Sequence, residues 1–542
     1  MLLLLSLAVI VIHALTVNAV PTVKLGKTSV IGQSIPTFRQ ELFAGIPYAE
    51  PPLGNLRLRP PVLKASIKSR TFKATDFGPA CLQTVRQSAS SVSEDCLTIN
   101  ILRPAGITSY AKLPVVRVYG GAFIEGSSMI FNGSGIVAQS VFRGTPIIYV
   151  NFNYRLGPLG FPQGQEAGNR GALNLGIKDQ ITALQWLQLH IESFGGDKSK
   201  VTVFGESAGS IMTSILFLNS PLPKLARAAI LESGSQATPS VFTDDRNEED
   251  WRNFVRGVPS CAGIATSGST FGCLHNATTS ELLSGFASSL AETTHEFPFV
   301  PVIDGPGGLI PDLPSVLLKR GQFARLPFIA GTNLDEGTLF APMTINSTQE
   351  IHDVITALVS PSVSPTKLER SVQKILQLYP DDPSLGSPFN TGNATFGLSS
   401  QFKRTAAIAG DITFQSQRRF WMDTAAHVGV PAFGYLFTQP QPPSFLGVSH
   451  GSEILYVYGT PNDTSTSAIS ISHIMTDYWI SFATSLTPND GKGIVSRPKW
   501  TQYTPKHKAV IQLNGTNLTM IPDNFRQEQI AFINSDPVIW RH

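Results

Sequence analysis

The stretch VFGESAGS, residues 203–210, sets Ser207 between Glu206 and Ala208, with Gly205 and Gly209 one step further out. The apolar run Val201-Thr202-Val203-Phe204 leads in, and AGSIMTSILFL (208–218) follows with helix-forming apolar residues. Strand, tight turn and helix in that order are the setting of a nucleophile elbow. The turn leaves no room for bulky neighbours, and the serine takes a strained conformation that points its Oγ out of the sheet. The pattern G-x-S-x-G is weak alone. With Gly and Ser each near ~8%, a chain this long shows it by accident roughly a quarter of the time.

The surrounding sequence supports the reading. LPVVRVYG (113–120), PIIYVNFNYR (146–155), VTVFG (201–205), AAILESG (228–234), LPFIAGTN (326–333), PAFGYLF (431–437) and KAVIQL (508–513) read as buried strands. Leu175, Ile177, Ile181, Leu184, Leu187 and Ile191 recur at helical spacing until FGGD (194–197) stops them. Strands alternating with helices predict an α/β fold with a mostly parallel central sheet flanked by helices. The Pro- and Ser-rich stretches at 360–365 and 439–444 read as loops, so residues 20–542 form one domain with large insertions.

A serine hydroxyl needs a base to take its proton and an acid to orient that base. On this architecture the order is Ser, then Asp or Glu, then His. FIAGTNLDEG (328–337) offers Asp335 and Glu336 just past a strand, and spacing does not choose between them. Of the histidines that follow, His427 and His473 fall in helical patterns, and His542 is the terminus. His450 follows a strand and a Pro-rich loop, in GVSHGSE (447–453). As the base it would lose activity on protonation below about pH 6–7. Backbone N–H donors for an oxyanion, each worth ~10²–10³ in rate, are offered by VYGGAFIEG (118–126): Gly121 and Ala122, joined by Ala208. In isolation the same glycines read as an ordinary turn.

Of 542 residues, 42% are apolar and 15% charged, with a net charge of +3. That is a packed globular composition and argues against nucleic-acid or acidic-membrane partners. Residues 1–19, MLLLLSLAVIVIHALTVNA, have a short apolar core and a small-residue end, and read as a cleaved secretory signal. Cys81, Cys96, Cys261 and Cys273 suit that oxidising route; three pairings exist, and none has the C-x-x-C spacing of a metal site. Sequons at Asn132, Asn276, Asn346, Asn393, Asn462, Asn514 and Asn517 complete the picture of a secreted glycoprotein, with Asn514 and Asn517 too close for both to be assured of a glycan.

Taken together, FAGIPYAEPPLGNLRLRPP (43–61), SEDCLTIN (93–100), YGGAF, GESAGS, TNLDEG and GVSHG resemble the type-B carboxylesterase/lipase family of α/β-hydrolases, over most of the mature chain and in the right order. The resemblance implies Glu336 as acid and His450 as base, and disulfides Cys81–Cys96 and Cys261–Cys273. It also implies ion pairs Arg57–Glu94 and Arg155–Asp179, a supporting hydroxyl at Ser233, and a substrate pocket near His295 and Phe297. The activity implied is cofactor-free hydrolysis of carboxylic esters through an acyl-enzyme. Feruloyl esterase, sterol esterase or triacylglycerol lipase are alternatives on the same scaffold, and a neuroligin-like binding protein without chemistry is the rival of another class.

Three departures bear on the substrate. Ala122 replaces the third glycine of the family's Gly-Gly-Gly, so a methyl group intrudes if the backbone there needs positive φ. The loop between Cys81 and Cys96 lacks the tryptophan with which cholinesterases hold a quaternary ammonium. That loop is also short and largely polar, unlike the long amphipathic flap of the family's fungal lipases. Soluble or dispersed esters are therefore the expected substrates.

Overall fold

The computed structural model describes residues 20–84, 91–108, 113 and 116–542; the expected signal at 1–19 and the middle of the Cys81–Cys96 loop lie outside the described residues. The strand-forming segments pair into a sheet of 11 strands. Its centre is parallel: Tyr149–Phe152, Val116–Val118, Thr202–Glu206, Ala228–Glu232, Phe328–Asn333, Ala432–Phe437 and Ala509–Leu513 lie side by side in that order. Antiparallel strands extend both sides, Thr519–Pro522 at one edge and Thr98–Pro104, Gln40–Pro47 and Gln33–Ile35 at the other. A small separate sheet joins Thr22–Leu25, Thr28–Ile31 and Thr71–Lys73.

Successive side chains of a strand point to opposite faces, so a strand covered on both sides must be apolar throughout. Val203, Ala229 and Leu231 enter the core on one face, with Trp186, Leu187 and Phe254 from the helices Leu175–His190 and Glu248–Arg256. Phe204, Ala228 and Ile230 enter the core on the other face, with Ile471, Met475 and Trp479 from Thr466–Ser485. The helix expected from Leu175 onward ends at His190, and after one 3₁₀ turn Gly195 reverses the chain at φ 87°. A third apolar cluster is mainly helical, built on Ile351, Ile355, Leu368, Val372, Ile375 and Phe402 from the insertion that follows Phe328–Asn333.

Both disulfides are formed, Cys81–Cys96 and Cys261–Cys273. The two expected ion pairs are buried rather than solvated: Arg57 Nε meets Glu94 Oε2 at 2.6 Å, and Arg155 Nη2 meets Asp179 Oδ1 at 2.7 Å. Arg57 also donates to the carbonyls of Leu274 and Ala277, which ties the first disulfide region to the second. Removing one partner of such a pair strands a buried charge, a loss of about 3–5 kcal/mol.

Asn132, Asn276, Asn346, Asn393, Asn462 and Asn517 are exposed. Asn514 is half-buried, and its Nδ2, the atom a glycan would take, donates to Thr438 O at 2.9 Å.

Candidate active site

The parallel strands deliver their carboxyl ends to one edge of the sheet, where open α/β sheets bind ligands. Ser207 follows Thr202–Glu206, with φ 52° and ψ −127°, and heads the helix Ala208–Ile215. A non-glycine residue held there carries about 1–3 kcal/mol of strain. The flanking glycines are explained by the neighbours a Cβ would meet. At Gly205 it would lie 2.6 Å from the Gly209 carbonyl carbon, and at Gly209, 2.3 Å from Val118 O. At Gly120 it would lie 2.9 Å from Ser207 Cβ, and at Gly234, 2.7 Å from Ser207 O. Backbone from three neighbouring strands converges under the serine, and only glycine fits between them.

His450 lies in the long loop after Ala432–Phe437, and its Nδ1 is 2.6 Å from Glu336 Oε2. The choice left open between Asp335 and Glu336 is thereby decided for the contact with His450. Glu336 Oε1 accepts from Asn333 N at 2.6 Å and from Ser233 Oγ at 2.7 Å, so the acid is held by the end of its own strand and the hydroxyl named above. The other ring nitrogen, Nε2, has no hydrogen-bond partner among the described residues and lies 3.4 Å from Glu206 Oε1, on the residue next to Ser207. Unliganded sites commonly leave the nucleophile–base hydrogen bond unmade until substrate arrives.

Two further carboxylates, missed in the sequence, complete this region. Glu453 is fully buried, with Oε2 accepting from Asn333 Nδ2 at 2.5 Å and Oε1 lying 3.2 Å from Ser233 Oγ. Burial and the charges of Glu206, Glu336 and Glu232 push its carboxyl well up. Around His450, burial opposes the imidazolium, but the charge and hydrogen bond of Glu336, then Glu206 and Glu453, outweigh it and raise the pKa to about 9. The titration range expected of an ordinary histidine therefore moves upward.

Gly121 and Ala122 follow the strand Val116–Val118 at the same edge. Ala122 sits at φ 49° and Gly121 at φ 112°, so the methyl group does occupy a left-handed position. Among the described residues, the N–H groups of Gly121, Ala122 and Ala208 donate to no acceptor.

The sequence also missed most of the wall beside the imidazole. Phe340 lies 5.2 Å and Phe414 4.8 Å from the His450 ring, with 5.5 Å between the two phenyl rings. Phe297 joins them, 6.1 Å from Phe340, whereas His295 turns to Asp250, Nδ1 to Oδ2 at 2.6 Å. Phe414 belongs to a π-helical turn, Asp411–Gln415, inserted between the α-helices Ser400–Gly410 and Ser416–His427. Such widened turns are frequent at functional sites. Here Gln415 Nε2 donates to Asn333 O at 2.9 Å, clipping the turn to the strand that carries the acid.

Comparison with known proteins identifies the family and the fold. Residues 19–533 match the family model described as the carboxylesterase family. Lipase 2 of Geotrichum candidum is 33% identical, over 92% of both chains. Secreted lipase 1 of Botryotinia fuckeliana is 34% identical, over 95% of this chain and 93% of that one. The crystal structure of Aspergillus niger EstA superposes with a TM-score of 0.83 at 27% identity, covering 97% of this chain and all of that one. The chain belongs to the carboxylesterase family and is a carboxylic ester hydrolase of the α/β-hydrolase fold.

Proposed function

We propose that this chain is a secreted glycoprotein that hydrolyses carboxylic esters with the triad Ser207, His450 and Glu336. The observation that carries the proposal is the 2.6 Å contact of Glu336 with His450 Nδ1, which leaves Nε2 beside the elbow without a hydrogen-bond partner among the described residues. Ser207 Oγ attacks the ester carbonyl while Nε2 takes its proton, and Glu336 stabilises the imidazolium. The carbonyl oxygen, now negative, accepts N–H bonds from Gly121, Ala122 and Ala208. The imidazolium then protonates the leaving alcohol. Water, deprotonated by His450, attacks the acyl carbon, and Ser207 leaves with the proton returned. No metal or cofactor enters the sequence of steps.

The substrate reading rests on two features. The phenyl rings of Phe297, Phe340 and Phe414 offer an apolar wall beside the imidazole, suited to the non-polar part of an ester. The Cys81–Cys96 loop is short and polar in sequence, which disfavours docking on a lipid droplet. Dispersed or soluble esters fit better than emulsified triacylglycerol, which is the second reading because fungal lipases are among the relatives. Six of the seven sequons are exposed, and Asn517 rather than Asn514 is the modified member of its pair.

The test is a panel of initial rates on methyl ferulate, short and long p-nitrophenyl esters and emulsified triglyceride, with Ser207→Ala as blank. That variant is expected to lose at least about 10⁴-fold in kcat and to keep a near-native melting midpoint. Turnover retained by it would refute the triad. A rate on emulsion that jumps above the solubility limit would transfer the assignment to an interfacial lipase.

A further inference from the structure

Asp335 stands beside the proposed acid and does not touch the base. It is 2% exposed, and its N–H and both carboxylate oxygens are engaged by segments distant in sequence. Its N–H donates to Val448 O at 3.0 Å, and Val448 N donates back to Oδ2 at 2.9 Å. That two-bond clamp grips the loop two residues before His450. Oδ1 accepts from Ser387 Oγ and from Phe389 N, both at 2.8 Å. Thr338 Oγ1 lies between the carbonyls of Asp335, at 2.8 Å, and Leu446, at 2.7 Å. The loop can come this close because residue 447 is glycine, at φ 59°; a Cβ there would fall 2.5 Å from Oδ2.

We propose that Asp335 is a positioning residue that fixes the loop carrying His450 against the turn carrying Glu336. The inference rests on the triad reading and deepens it. The acid–base contact joins residues 114 apart in sequence, on two loops that need a common reference. Asp335 supplies it from the residue adjoining the acid, so any shift of the His450 loop must first break the clamp. The site asks for a carboxylate because three donors converge on two oxygens, and two of them, the N–H groups of Phe389 and Val448, cannot accept in return. An asparagine oriented to serve Ser387 and Phe389 would set its NH₂ against the N–H of Val448. Glutamate is too long for the space beside Gly447.

The experiment compares Asp335→Asn with Ser387→Ala, which removes a bond to Oδ1 and leaves the Val448 clamp. On a soluble p-nitrophenyl ester, Asp335→Asn should lower kcat by about 10²-fold, the scale of an ångström of misplacement, with KM changed less than about threefold. The acid limb of its kcat profile should also move down, because a loosened Glu336 contact no longer supports the imidazolium among Glu206, Glu232 and Glu453. Ser387→Ala should keep kcat within about threefold and leave the pH profile in place. Equal losses in the two variants, or an unmoved pH profile in Asp335→Asn, would reduce Asp335 to ordinary buried structure and overturn the proposal. If Asp335→Asn does not fold, Thr338→Val decides, since it loosens the same loop at Leu446. It must lower kcat and shift the acid limb, and an unchanged profile overturns the proposal. Ser207→Ala in the same assay separates the two claims: activity surviving there sinks the triad, whereas a dead Ser207→Ala beside a normal Asp335→Asn sinks only the clamp.

Discussion

The two sides of the candidate site are built from different materials. The nucleophile side is backbone: Gly120, Gly205, Gly209 and Gly234 let three strands close under Ser207, and strain at one residue aims the hydroxyl. The base side is buried charge: Glu206, Glu232, Glu336 and Glu453 come from separate segments and surround His450 and its neighbours. Packed backbone tolerates no added atom, while a cluster of charges can be adjusted by degrees. Substitutions on the first side should therefore act as switches, and those on the second as tuning.

Gly209→Ala is the largest effect expected of the comparison. Its Cβ would meet Val118 O at 2.3 Å and Tyr119 O at 2.7 Å, both backbone atoms at the end of the strand Val116–Val118 that cannot swing aside. Overpacking of this kind typically costs about 1–3 kcal/mol. The accompanying shift of Ser207 should lower kcat by about 10²-fold or more. A denaturation curve and a kinetic assay on the same preparation check both. Native activity in this variant would mean that the turn is softer than its contacts imply.

That contrast also governs what could be read in advance. Glycines at 205 and 209, a preceding strand and a following helix are local, so the elbow is legible in eight residues. The strands likewise announce themselves, because a sheet covered on both faces demands near-continuous apolar runs such as Ala228–Leu231. Glu453 and Phe414 carry no such mark. Glu453 matters only because Ser233 and Asn333 arrive beside it from other strands. Phe414 reaches the imidazole because a helix widens to π geometry at Asp411–Gln415, a change with no sequence pattern of its own. Between Asp335 and Glu336 nothing local discriminates either; both meet the loop more than a hundred residues away, and only Glu336 meets the imidazole on it.

On the charged side, Glu206→Gln should tune rather than abolish. Glu206 is among the groups that raise His450 to about 9. Removing its charge should move the acid limb of kcat/KM to lower pH while leaving measurable turnover. An unmoved limb would show that Glu336 alone sets the imidazole. The same charges couple stability to pH in the opposite sense to activity. A histidine whose folded pKa lies above its usual 6.5 contributes stability that is complete below about pH 6.5 and is lost as pH rises through 9. The raised carboxyl of Glu453 acts in the same direction: its contribution is complete below the ordinary carboxyl value near 4.5 and is lost as pH rises from there to about 8. The melting midpoint should accordingly be lower at pH 9 than at pH 6, while the rate on a soluble ester rises over that interval. A midpoint that climbs with the rate would contradict the picture of a carboxylate-supported imidazolium.

The smallest effect belongs to the backbone side and tests its one imperfection. Ala122 occupies φ 49° where the family pattern has glycine, and a left-handed alanine is disfavoured by about 1–2 kcal/mol. Ala122→Gly relieves that strain but adds freedom to the unfolded chain, an offsetting loss of about 0.4–1 kcal/mol. The net gain in stability should lie between about 0 and 1.6 kcal/mol. The N–H at 122 survives the change, so a rate within about twofold of the native enzyme is expected if the amide alone serves the oxyanion. A marked drop in kcat would instead assign the methyl group a part in holding Gly121 and Ala122 in line, and would move this loop from the rigid side of the comparison to the tunable one.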